Sequence, residues 1–122
     1  MKNYRIAIPT KGMEGLDDGV SDVFGKANTF TIVDTIKEKM DLVKVIENPA
    51  KSYIRGSGPI VVKMLIDVGV ELILAYELGL GAHGLLKQNN IEHMQVMPKT
   101  KVREAVELAI HSLKKEEVMY EI

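Results

Sequence analysis

Arg5-Ile6-Ala7-Ile8-Pro9-Thr10, followed after a long loop by Phe24-Gly25-Lys26-Ala27 and Thr29-Phe30-Thr31-Ile32-Val33-Asp34, is the stretch that decides the fold. Residues 4–9 read as a buried strand, an apolar run that proline stops because it cannot donate to a ladder. Residues 29–34 read as a second strand, rich in β-branched side chains. Between them lies Lys-Gly-Met-Glu-Gly-Leu-Asp-Asp-Gly-Val-Ser-Asp-Val, residues 11–23. Compact domains seldom keep so long a connection without a use for it. This one is rich in glycine and carboxylate, and it opens from the end of a core strand.

Downstream, residues 36–40 form a charged turn and residues 41–47 a third strand, so strands two and three make a hairpin. Asn48-Pro49 stops it. Gly58-Pro59 marks a helix start with proline at the first helical position. Val61, Met64, Leu65 and Val68 recur at helical spacing up to Gly69, the expected C-terminal glycine. Residues 70–75 are a near-continuous apolar run of the central parallel type. Gly79-Leu80-Gly81-Ala82 opens a second helix, which Asn89-Asn90 ends. Residues 91–97 form strand five, closed by Pro98. Thr100 is placed to cap a last helix, whose stripe is Val102, Ala105, Val106, Ala109, Ile110 and Leu113. Arg103 and Glu107 are spaced for an i, i+4 pair.

The order β-β-β-α-β-α-β-α, with right-handed crossovers, gives a five-stranded mixed sheet of order 3-2-1-4-5 with strand two antiparallel. This is the α/β, three-layer layout of ribonuclease H-like folds, with residues 1–122 read as one domain. The loops after strands one, three, four and five all emerge at one edge. Strand order reverses between strands one and four, where open α/β sheets favour ligands.

A length of 122 residues suits one core. Sixteen basic against seventeen acidic residues leave a formal charge of -1, which speaks against non-specific nucleic-acid or membrane binding. The absence of cysteine excludes disulfides and thiolate ligands for zinc or a cluster, and it suits a reducing cytoplasm. No apolar run approaches membrane-spanning length, and the N-terminus has no signal-peptide layout.

Gly79-Leu80-Gly81-Ala82 and Arg55-Gly56-Ser57-Gly58 each precede a helix at the same edge. Backbone N–H groups at helix starts attract anions; the alternative is that these glycines only make tight turns. His83, in the first turn of its helix, is either a metal or cluster ligand or an exposed helix residue. Glu14, Asp17, Asp18 and Asp22 read as a solvated turn, with Asp22 capping backbone N–H groups. Two-metal nuclease chemistry needs carboxylates on strand ends. Strand one has none, and Glu77 alone stands at a suitable place.

Ile6-Ala7-Ile8-Pro9-Thr10, Leu16-Asp17, Val20-Ser21, Phe24-Gly25-Lys26-Ala27, Ile32-Val33-Asp34, Glu47-Asn48-Pro49, Gly58-Pro59, Leu78-Gly79-Leu80-Gly81-Ala82 and Val102-Arg103-Glu104-Ala105-Val106 together resemble the dinitrogenase iron–molybdenum cofactor biosynthesis family, the NifX-type proteins. The resemblance spans almost the whole chain, and it implies that the loop of residues 11–23 is a lid or lip of a binding site. It implies a non-catalytic cytoplasmic carrier of an iron–sulfur-type metallocofactor, the iron–molybdenum cofactor or its precursor, not covalently bound. It also implies cofactor-assembly proteins as partners, no nucleic acid or membrane, and a monomer or weak homodimer. The binding residues expected are Thr10, Lys11, Ser21, Lys26, Gly56, Gly58, Gly79, Gly81, Ala82 and His83, with His83 the metal ligand. This chain departs from the family in Tyr76 and Glu77, which bring bulk and an acid to the turn after strand four. The alternative is a regulatory or interaction module that binds a small organic anion or phosphate.

Overall fold

The computed structural model describes residues 2–121, apart from the side chains of Leu80 and residues 119–121. Strand β1 (Arg5–Thr10) is followed by a short 3-10 helix (Gly15–Asp17), β2 (Thr29–Ile36) and β3 (Lys39–Glu47). Then come α1 (Ser57–Asp67), β4 (Leu72–Ala75), α2 (Leu80–Gln88), β5 (Glu92–Gln95) and α3 (Val102–Glu121). The sheet order is β3-β2-β1-β4-β5. β2 is antiparallel to both β1 and β3, while β1–β4 and β4–β5 are parallel. The topology expected from the sequence is the one observed.

Strand alternation divides the core in two. Ile6 and Ile8 of β1, Val33 of β2, and Leu72 and Leu74 of β4 meet Val102, Ala105, Val106, Ala109 and Leu113 of α3. Ala7, Phe30, Ile32, Ile73 and Ala75 face the other way, onto Val61, Val62 and Leu65 of α1 and Ala82 and Leu86 of α2. Fully burying one large apolar side chain contributes roughly 1.5–3 kcal/mol. Net stabilities of roughly 5–15 kcal/mol then make both faces indispensable.

Several ends differ from expectation. β1 runs through Pro9 to Thr10 instead of stopping at the proline. β4 pairs with β1 only at Ile6 and Ala7. By Pro9 the neighbour on that side is the first loop, whose Val20 bridges Thr10 and whose Ser21 N–H donates to Pro9 C=O at 2.8 Å, so the missing N–H costs no bond to β4. The hairpin turn is only Lys37-Glu38, both at positive φ (51° and 68°). β3 therefore starts at Lys39, and a bulge near Asp34 and Thr35 absorbs the shift. Pro59 is the third residue of α1, where its N–H would still lack a helical partner. Asn90, at φ 58°, takes the left-handed place after α2, and Ile91 N–H closes that end on Leu86 C=O at 2.9 Å.

The long first loop is tied down. Asp18, nearly buried, accepts N–H bonds from Gly12 (2.9 Å), Glu14 (3.4 Å) and Gly19 (2.8 Å), the capping role expected of Asp22. Val20 and residues 99–100 exchange backbone bonds of 2.8 and 2.9 Å, and Val102 N–H donates to Asp18 C=O. α3 thus starts one residue later than a Thr100 cap requires. Arg103 reaches Asp17 at 3.6 Å rather than pairing with Glu107.

At the opposite edge of the sheet, Arg5 grips Asp34 through two bonds of 2.8 and 3.0 Å and donates to Val68 C=O at 2.7 Å. This pins the end of α1 to the sheet. The Arg5 hydrogen bond holds the Asp34 carboxyl below its ordinary range.

Candidate functional site

Three segments meet at the edge where the loops after β1, β3 and β4 emerge. Residues 22–26, 54–59 and 77–79, with Gly81 and Ala82, enclose an open cavity of about 380 Å³. The first wall is held from behind. Phe24 is buried, and its ring meets Phe30 edge-on at 5.5 Å and 77°. The buried Asn48 side chain donates to Gly25 C=O (2.9 Å) and Ala27 C=O (2.8 Å), and accepts from Ala50 N–H (2.9 Å). One amide thus fixes the wall before β2 and the chain leaving β3. Gly25 allows a close approach to α1: a Cβ there would lie 2.6 Å from Ser57 Oγ, which can rotate away, and 3.1 Å from Gly58 N, which cannot.

The second and third walls are helix starts. Gly56 precedes α1 at φ 77° and Gly79 precedes α2 at φ 80°, a region that favours glycine. Neither cap offers a side-chain hydrogen bond. First-turn N–H groups therefore lack a capping partner just where Ser57, Gly58, Gly81 and Ala82 line the cavity. The two helices touch here, since a Cβ on Gly58 would meet Ala82 Cβ at 3.6 Å. Lys26 and Arg55 line the same space, as do Asp22 and Glu77. The formal charges cancel, and the positive ends of two helix dipoles tip the balance toward an anion.

Of the residues singled out in the sequence, Lys26, Gly56, Gly58, Gly79, Gly81 and Ala82 come together in this cavity. Thr10, Lys11, Ser21 and His83 do not line it. The Thr10 hydroxyl is fully buried, 2.7 Å from Thr29 Oγ1 and 3.0 Å from Thr31 Oγ1. Lys11 is exposed, and its C=O accepts from Asn28 at 3.0 Å. Ser21 Oγ accepts from Val23 N–H at 3.2 Å in a local turn. His83 lies beside a separate depression with Leu78, Leu86, Lys87, Ile91 and His93, because each helical step turns the side chain about 100° away from Ala82. Glu77 lines the cavity; Tyr76 does not. Only the end of the first loop reaches the cavity, so the rest is no lid. Sequence reasoning missed the roles of Phe24, Gly25, Asn48, Ile54 and Arg55. The Phe-Gly and Asn-Pro pairs were the available signal. Among the described residues, no group of three or more His, Asp or Glu is placed to hold a metal ion. No helix there is long and apolar enough to cross a membrane.

A family profile described as "Dinitrogenase iron-molybdenum cofactor" matches residues 2–112, which include all five strands and every wall of the cavity. The chain belongs to the dinitrogenase iron–molybdenum cofactor family. This membership, expected from the motifs, associates it with iron–molybdenum cofactor biosynthesis. The NMR structure of a Thermotoga protein provisionally assigned as a NifB protein is 33% identical, with a TM-score of 0.73 over 88% of each chain. The apo form of the orange protein from Desulfovibrio gigas is 27% identical, with a TM-score of 0.79 over 89% of this chain and 88% of that one. An uncharacterised protein of Methanocaldococcus jannaschii, MJ0580, is 26% identical over 92 residues, 75% of this chain and 74% of its own length.

Proposed function

We propose that this member of the family holds an anionic iron–sulfur-type metallocofactor, the iron–molybdenum cofactor or a precursor, in the cavity between the Gly25 turn and the starts of α1 and α2. In this reading the protein is a carrier without catalytic turnover. The observation that carries it is the convergence of two uncapped helix starts with Lys26 and Arg55 on one cavity, in a family described by that cofactor. The chain has no thiolate, and no histidine lines the cavity. Recognition then works through backbone N–H groups and cationic side chains gripping the cargo's outer atoms.

The test is anaerobic mixing with iron–molybdenum cofactor extracted from a nitrogenase, followed by gel filtration. Molybdenum and iron are expected to co-elute with the protein. Retention should fall for Lys26→Gln and stay unchanged for His83→Ala. If neither metal co-elutes, the carrier reading fails. Asp22 and Glu77 at the same cavity favour a second reading, a regulatory or protein-interaction module that binds a small organic anion or phosphate. Thermal-shift screening separates the two, because a ligand at a hundred times its Kd stabilises by about 2.7 kcal/mol.

A further inference from the structure

We infer that residues 51–56 form a flap that closes over the cavity, Arg55 supplying a counter-charge and Ile54 the cover. This rests on the binding reading above. The segment is held firmly at both ends and loosely between them. On one side stand the buried Asn48 amide and the fully buried Ala50; on the other, α1 begins at Ser57. All six residues between are exposed. Their loop backbone bonds are local, from Lys51 N–H to Asn48 C=O (3.4 Å) and from Tyr53 N–H to Ala50 C=O (3.1 Å).

Two features point to a guest. Ile54 is 88% exposed although it lines the cavity, so its apolar surface lies in water beside a concave space that a ligand would fill. The Arg55 guanidinium, also at the cavity, has no hydrogen-bond or ion-pair partner among the described residues. Its planar fork suits an anion, which it can grip with two parallel bonds. Gly56 supplies the hinge: it sits at φ 77°, and nothing lies within 4 Å of where its Cβ would be. A glycine there can change φ and ψ with little steric cost.

Trypsin reads the flap directly, because Lys51 and Arg55 each offer it a bond. Protein loaded anaerobically with extracted iron–molybdenum cofactor should be cut after Arg55 about tenfold more slowly than free protein, since cleavage follows the open population. Cleavage after Lys37, in the remote hairpin turn, should not change. Ile54→Ser should restore rapid cleavage after Arg55 in the loaded protein. Arg55→Gln should release the cofactor about tenfold faster, with an unchanged Tm because the side chain is exposed. Cofactor retained with cleavage after Arg55 unslowed overturns the flap and leaves the carrier reading standing. Cofactor not retained at all overturns both.

Discussion

Asn48 uses both ends of its side-chain amide on backbone groups, two carbonyls before β2 and one N–H after β3. Asn48→Ala should cost ~1–3 kcal/mol, because Gly25 and Ala27 carbonyls lose a buried donor. Asn48→Asp should be at least as damaging, since a carboxylate cannot donate and would face both carbonyls. The denaturant midpoint of each variant checks this. Gly25→Ala should destabilise by ~1–3 kcal/mol through overpacking against Ser57 and the α1 backbone, and should lower cofactor retention by pushing the first wall off α1. In the sequence Asn48 reads only as a strand stop. Its donors' targets lie 21 and 23 residues away, and no local pattern encodes such a pairing. Thr10 and Ser21 mislead in the opposite sense: the family resemblance points to them as ligand contacts, but the Thr10 hydroxyl pairs with Thr29 and Thr31 and Ser21 Oγ accepts from Val23 N–H.

At the level of elements, sheet order and the two helix layers were legible. They follow from apolar runs, glycine punctuation and handed crossovers, all of which act locally or by general rule. The ends were less so. β1 tolerates Pro9 because β4 is short, and the hairpin turns on Lys37 and Glu38 rather than on glycine or asparagine. The anchoring of the first loop depends on Asp18 and residues 99–102, which meet only in three dimensions. Asp18→Ala should therefore speed amide hydrogen exchange at Gly12 and Gly19 while leaving the Phe24 turn protected. The Arg5–Asp34 pair joins β1, β2 and the end of α1. Asp34 has a lower pKa folded than unfolded, so below the ordinary carboxylate range the unfolded chain binds more protons. The pair's stabilisation is complete above the unfolded value, about 3.9, and is lost as pH falls through the folded one. Asp34→Asn should flatten this acid limb, as read by melts between about pH 5 and pH 2.

For the whole molecule, the sheet separates a core closed by α3 from one closed by α1 and α2, and the cavity opens beside the second. Binding there should depend on ionic strength, since Lys26 and Arg55 are exposed and the Debye length is about 8 Å at physiological salt. Raising salt from about 0.05 to 0.5 M should weaken cofactor retention, and Lys26→Gln should reduce that dependence. Five of the residues around the cavity are glycines. The site is written largely in withheld side chains. An alanine scan, a method built to subtract, would add atoms at each of those five positions. It would report crowding where a search for contact groups expects loss, and a survey that ranks positions by chemically distinctive side chains would pass the site by.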